Sequence, residues 1–425
     1  MNRRLLTLLF ISPVVLFSGA VLGQEITPTK AEDVGFSSVR LARIDDIFTT
    51  YVKENKMAGS VILVSRKGKV AYYKAFGYRD KEANAKMDVG SIFRIASQTK
   101  AIVSVGIMIL QEEGKLLIQD PVSRFIPEYK ETTVAVPKPS GGYEVVKAKR
   151  EMTIRDLLTH TAGVGYGQGV AAEEWEKAGM QDFYFAHYDE PVGETIKRMA
   201  SLPMDAHPGE RYVYGYATDI LGVIIERASG LPLDQFLKQR IFDPLRMNDT
   251  YFYLPHEKAA RLAKVYVPKD GKPLTPAPVE GTVDSQGQYV TGPRKSFSGG
   301  AGLVSTARDY YHFLKMLASG GEFEGQRLLS SRTVHLMTID HVHGEIGFNR
   351  AGLGFGLGFE VVIDQGMRGT YGSRGQFGWG GAYGSTYWVD PAEELIVLYF
   401  TQVRPGSIVK DQLELRTLVY QALVD

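Results

Sequence analysis

The chain has 425 residues, 44% of them apolar, with 49 Lys and Arg against 48 Asp and Glu. This length supplies a large core and room for two subdomains. A formal charge of +1 leaves no electrostatic footprint for nucleic acid, and the lack of any Cys excludes disulfides, thiolate metal sites and a Cys nucleophile. No H-E-x-x-H, G-x-S-x-G or Walker-type phosphate motif occurs, and His341-Val342-His343 stands without a third ligand, so neither a metal nor a cofactor is expected.

Taken in chain order, Arg3-Arg4, the apolar run from Leu5 to Phe17, and Ser18-Gly19-Ala20 or Val21-Leu22-Gly23 read as a secretory signal over residues 1–23. The expectation is a secreted or periplasmic protein that leaves no membrane segment once the signal is removed. Gln24 to Gly35 reads as a short arm. Ser37 or Ser38 then caps a helix through Tyr51, with Val39, Leu41, Ile44, Ile47 and Phe48 on its inner face. Gly59 to Ser65 and Val70 to Phe76 read as a β-hairpin turning at Arg66-Lys67-Gly68-Lys69.

The next stretch is the uncharged, mostly apolar run from Ala101 to Leu110, preceded by Ser97-Gln98-Thr99-Lys100. It is too short to cross a bilayer and fits a buried helix. Ser97 and Lys100, three residues apart in its first turn, point to one side. A hydroxyl beside an amine at the start of a buried helix suits nucleophilic catalysis. A second S-x-x-K, Ser407 to Lys410, opens an amphipathic stretch where the Lys would be solvated and nothing would depress its pKa. The motif is cheap, and context separates the two copies.

Further on, Thr153 to Gly163 reads as a short helix capped by Thr153 and stopped by Gly163. The aromatic-rich stretch from Val164 to Ala206 walls an apolar pocket or packs as core; the two readings stand level. Pro208-Gly209 turns the chain into Tyr212-Val213-Tyr214-Gly215-Tyr216-Ala217-Thr218-Asp219, and Ile220 to Glu226 is another apolar helix. Pro268 to Arg294 is a surface excursion. Asp219 reads as structural at a helix start, and His160 as a cation at a helix end. Strands return at Phe377 to Gly384, Ser385 to Val389 and Leu395 to Phe400, and Val409 to Val424 closes the chain as a helix. The order implies an α+β fold. Residues 24–96 and 296–425 form an antiparallel sheet with terminal helices, residues 97–295 a mostly helical subdomain, and the site lies between them.

With these residues laid out, the chain resembles the serine β-lactamase and penicillin-binding-protein superfamily, and within it the esterase-like branch called family VIII carboxylesterases. The resemblance runs from Gly35 to about Val424. It is carried by Ser97 to Lys100, Thr153 to Gly163, Pro208 to Gly222, Ser298 to Thr306 and the glycine-rich strand at Trp379. It implies that Ser97 is the acylated nucleophile, Lys100 a base, and Tyr214, first of a Y-x-N element, the second proton-transfer group. It also implies an oxyanion hole from the N–H groups of Ser97 and Ala382.

Two positions depart from the lactamase pattern. Tyr216 stands where many members have Asn, and Trp379-Gly380-Gly381 stands where lactamases carry Lys-Thr-Gly; these four positions are expected to contact substrate. The missing cation would have paired with a substrate carboxylate, so an indole there favours a neutral ester, unless Arg368 or Arg374 restores the charge. The leading expectation is therefore an exported serine hydrolase acting on small-molecule esters. A β-lactamase or D-alanyl-D-alanine carboxypeptidase on the same scaffold is the alternative. A catalytically idle ligand-binding module and a transacylase are the remaining readings.

Overall fold

The computed structural model describes residues 26–180, 183, 185–269, 272–278, 287–342, 348, 350–404 and 409–425. The signal expected over residues 1–23 and Ser407 of the second S-x-x-K lie outside them. Lys410, the other end of that motif, is exposed.

An eight-stranded antiparallel sheet organises the molecule, and both ends of the chain build it. Helix α1 (Arg43–Lys53) precedes the hairpin β1 (Gly59–Arg66) and β2 (Lys69–Asp80), followed by β3 (Ala85–Lys86). The far end supplies β4 (Leu353–Phe355), β5 (Glu360–Val362), β6 (Phe377–Gly380), β7 (Thr386–Asp390) and β8 (Leu395–Thr401). The spatial order is β4-β5-β6-β7-β8-β1-β2-β3, so the last long strand pairs with the first. The hairpin turns at Lys67 and Gly68, both at positive φ (51° and 73°), the tight two-residue turn whose twist matches its strands.

Alternation along the strands gives the sheet two apolar faces. Val61, Leu63, Tyr387, Val389, Ile396 and Leu398 face the helical part of the chain. Ile62, Val64, Trp388, Val397 and Tyr399 face the terminal helices, where Ile44 and Phe48 of α1 meet Leu415 and Val419 of the closing helix (Asp411–Tyr420). Val39, expected on the inner face, is instead 78% exposed. Ser37 caps a first turn, Ser38–Leu41, and the chain restarts as α1 at Arg43, so the break changes the helical phase that the sequence pattern assumed.

The helix Ala307–Ala318 covers the inner face of the sheet, with Tyr310 against Tyr387 and Phe400, and beyond it lies the helix α2 (Thr99–Glu112), buried from Thr99 to Leu110. It packs on α3 (Ala217–Ser229), and a Cβ at Gly106 would come within 2.9 Å of Ile225 Cδ1, so glycine lets the two axes approach. Ser97 precedes the helix proper, in a 3-10 turn over Ala96–Gln98. The expected stop at Gly163 also moves. That helix covers only Ile154–Leu158, with the predicted Thr153 cap completed by Asp156, and His160 at φ 55° turns the chain away before Gly163 is reached. The surface excursion contains a hairpin, Tyr266–Lys269 with Lys272–Pro276. No helix among the described residues is long and apolar enough to span a membrane.

Candidate active site

A cleft of about 480 Å³ opens where the Ser97 turn meets the end of β6. Ala96, before the nucleophile candidate, is buried and held at φ 42°, a conformation an L residue rarely adopts. The surroundings fix it there: Ile95 N–H donates to Leu303 O (3.1 Å), and Tyr310 Oη donates to Gln98 O (2.9 Å). Gly381 closes on the same turn, where a Cβ would meet Ile95 O at 2.6 Å. Ser97 and Ala382 both line the cleft, and the Ala382 N–H makes no hydrogen bond with the described residues. A free backbone donor beside the Ser97 turn is what an oxyanion hole requires.

Lys100, 2% exposed, sits below the nucleophile with three neighbours around its nitrogen. Its Nζ lies 2.8 Å from Gly300 O, 3.0 Å from Tyr166 Oη and 3.4 Å from Ser97 Oγ. A neutral amine has two N–H donors and one lone pair. The Gly300 carbonyl can only accept, and Tyr166 keeps its proton because burial pushes its phenol well above its ordinary value. As an ammonium Lys100 donates to all three oxygens; in the neutral amine the donor on Gly300 O stays in place, and a lone pair turned to Ser97 Oγ has the geometry of a base.

Tyr214 reaches the same ammonium from above. Lys100 Nζ lies 4.7 Å from its ring centroid, and its hydroxyl accepts a hydrogen bond from Trp379 Nε1 at 3.1 Å. The phenol oxygen is thus held by the indole, and its own O–H remains available to the cleft, which Tyr214 and Trp379 both line. Gly380 and Gly381 line the cleft too. Behind Tyr214 sits His160, its ring 4.6 Å away. Burial and the charge of Lys100 hold this imidazole well below 6.5, so it is neutral and not the helix-end cation expected from sequence.

Tyr216 corrects the expectation of a substrate contact. It is 0% exposed and absent from the cleft wall, stacked on Phe185 at 5.1 Å and edge-on to Tyr166 at 4.8 Å. The segment before α3 is too tight to let it out, since a Cβ at Gly215 would meet Val164 O at 2.3 Å. Of the two arginines expected to restore a charge, Arg368 lines the cleft, whereas Arg374 is exposed and does not.

Three residues escaped the sequence reading. Tyr166 lay in the aromatic stretch where pocket and core were indistinguishable. Gly300 acts through its carbonyl, which no side-chain motif reveals. Asp219, fully buried, accepts from Ser298 Oγ (2.7 Å) and Gly300 N–H (3.0 Å) through Oδ1, while Oδ2 has no partner. It grips the amide side of the residue whose carbonyl meets Lys100. Burial raises its pKa, and the Lys100 charge is the foremost influence opposing that rise. His341, from the pair considered for metal, meets Leu336 O at 2.8 Å, and no cluster of three metal-ligating side chains occurs among the described residues.

The model of the β-lactamase family matches residues 44–421. Protein Rv1367c of Mycobacterium tuberculosis is 34% identical over 363 residues, 82% of this chain and 86% of that protein. Esterase EstB of Burkholderia gladioli is 31% identical over 375 residues, 85% of this chain and 90% of the esterase. Among solved structures, EstCE1, described as a hydrolase with promiscuous acyltransferase activity, superposes with a TM-score of 0.78 at 27% identity, covering 90% of this chain and 99% of that one. With its Ser, Lys and Tyr gathered at one cleft, the chain belongs to the β-lactamase family, as a serine hydrolase of the esterase-like branch.

Proposed function

We propose that the protein cleaves carboxylic esters through an acyl-enzyme on Ser97, after export directed by residues 1–23. The observation that carries the mechanism is the geometry at Lys100, whose Nζ is held by Gly300 O and Tyr166 Oη within 3.4 Å of Ser97 Oγ. Lys100 takes the Ser97 proton as Oγ attacks the ester carbonyl, and the oxyanion is received by the N–H groups of Ser97 and Ala382. Tyr214 gives its proton to the departing alkoxide, leaving a phenolate held by Trp379 Nε1 and facing the new ammonium. Water then loses a proton to the Tyr214 phenolate and attacks the acyl carbon. Ser97 Oγ leaves with the proton stored on Lys100, and the free enzyme is restored.

Preference for an ester over a lactam is supported by Trp379, which stands on β6 where a lactamase cation is expected and bonds Tyr214 instead. Similarity to an esterase points the same way. The test is a burst with p-nitrophenyl butyrate, together with an acyl adduct on the peptide containing Ser97. Nitrocefin turnover exceeding that of short esters in kcat/KM would replace this reading with lactam hydrolysis. Transfer of the acyl group to an alcohol is the second reading, suggested by the likeness to EstCE1. Methyl ester formed in added methanol would reveal it.

A further inference from the structure

Away from Ser97 the cleft runs along the edge of β6. The β6 residues that face the closing helix are Gly378 and Gly380, and a Cβ at Gly380 would meet only Ser385 O, at 3.3 Å. The missing side chain at Gly380 leaves room for a channel beside the strand, whereas at Gly378, where a Cβ would meet Tyr387 O at 2.4 Å, the strand packs against its neighbour. Its far end is marked by the cross-strand row Glu360, Gly378 and Trp388. Two guanidinium groups gather at this row.

Arg416, 9% exposed, lies over the Trp388 ring at 4.2 Å, and its Nη1 donates to Gln376 Oε1 (2.8 Å) and Tyr371 O (3.1 Å). Its Nε and Nη2 make no hydrogen bond with the described residues. Arg368, with a side chain 12% exposed, makes no side-chain hydrogen bond with the described residues; Glu360 lies 3.9 Å away, and Asp390 adds a second, more distant negative charge. Glu360 is itself engaged by Arg350 at 2.8 Å, and Arg350 lies over the Trp379 ring at 5.8 Å. Each guanidinium carries five N–H donors, and buried donors are almost always matched by acceptors. Here the protein supplies too few acceptors. Burial and the like charge of Arg368 push Arg416 down to about 10, and burial pushes Arg368 down as well. An anion bound between them would relieve both.

We propose that this end of the cleft is a carboxylate subsite, so that the ester cleaved at Ser97 carries a carboxylate at the far end of a long limb. The substrate class rests on the ester reading above; the subsite rests on the arginine pair. Strands rise about 3.3 Å per residue, so β6 from Gly380 back to Gly378 carries the channel roughly 7 Å beyond the turn that holds Ala382. That length separates this substrate from a β-lactam, whose carboxylate lies close to the scissile carbonyl. It calls for the half-ester of a long diacid.

The test compares the mono-p-nitrophenyl esters of sebacic and succinic acids, each against its methyl-capped neutral counterpart. Wild-type protein is expected to prefer the sebacate monoanion over its capped form by about tenfold in kcat/KM, as for a charge-assisted contact, with no such preference for succinate. In Arg368→Gln the sebacate ratio falls to about one. Equal turnover of the anionic and capped sebacate esters by wild type overturns the subsite. Binding of free sebacate to Ser97→Ala by calorimetry, abolished by adding Arg368→Gln, reads the subsite without any ester turnover. If no ester is cleaved but sebacate binds, the subsite stands and the ester reading falls. If esters are cleaved but sebacate does not bind, the subsite falls alone. Arg350→Met, at a largely exposed side chain, supplies a second variant should Arg368→Gln fail to fold, and is expected to lower the same ratio.

Discussion

Lys100 and the Arg368–Arg416 pair are buried cations beside one cleft, and their surroundings are opposite. Around Lys100 the protein provides an acceptor for each donor: the Gly300 carbonyl, the Tyr166 phenol and the nucleophile itself. Around the arginines it leaves most donors unmatched and sets two like charges together. A cation enclosed by fixed partners is organised to exchange a proton with one of them. A cation left short of acceptors is organised to receive something from outside. The difference separates catalytic machinery from recognition.

The largest effects should come from the enclosed cation. Ser97→Ala is expected to lower kcat for p-nitrophenyl butyrate by about 10⁴-fold or more, and Lys100→Met by roughly 10²–10⁴-fold, with unchanged Tm for the first. A Lys100→Met enzyme retaining most of its kcat would erase the distinction between the two cations. Tyr214→Phe comes next. Loss of its proton should cost roughly 10²-fold with a poor leaving group such as methoxide, and much less with p-nitrophenolate, which departs without an acid. Equal losses with both leaving groups would move the acid elsewhere.

A smaller effect is expected from Asp219→Asn, which disturbs the Gly300 peptide without touching Lys100. We expect kcat to fall about tenfold while Tm at neutral pH stays level or rises. The sign follows from linkage. The Asp219 pKa is raised by burial, so its charged form is disfavoured in the fold, and stability is lost as pH climbs from the unfolded value of about 3.9 through the raised one. Removing the charge relieves that loss at neutral pH, and the gain should vanish in acid. A lower Tm with normal kcat would make Asp219 purely structural.

The smallest effect concerns His160. Its pKa lies well below 6.5 in the fold, so below pH 6.5 the unfolded chain gains a proton that the folded chain refuses. Stability should then fall by about 1.4 kcal/mol per pH unit on acidification. His160→Asn, which tolerates the positive φ, should flatten that slope in urea titrations at pH 5 and 6.5.

Legibility in the sequence followed the range of the interaction. Ser97 and Lys100 are local, so an apolar run and a three-residue spacing exposed them. Trp379 was readable because it replaces a cation within a short motif. Tyr166 was not, because its position depends on a loop whose turns at His160, Gly163 and Gly167 all need positive φ. Tyr216 was misjudged because it was placed by the resemblance, at the position where many members carry Asn, yet the packing of Gly215 on Val164 and Gly165 keeps it inward. The short strands β4 and β5 went unread because three residues each are too few to show an alternating pattern. The sheet core was plain, since the inner strand β8 is apolar along its length.

Gly381 pressing on Ile95 joins the two donors expected to receive the oxyanion, and these come from opposite ends of the chain. Ser97 is synthesised early and Ala382 late, in the turn between β6 and β7, strands that join the N-terminal hairpin only through β8 and its pairing with β1. A chain still emerging from the ribosome therefore holds its nucleophile without the means to stabilise a reaction at it. Under the acyl-enzyme proposal, labelling of Ser97 requires the completed sheet and becomes a readout of finished folding.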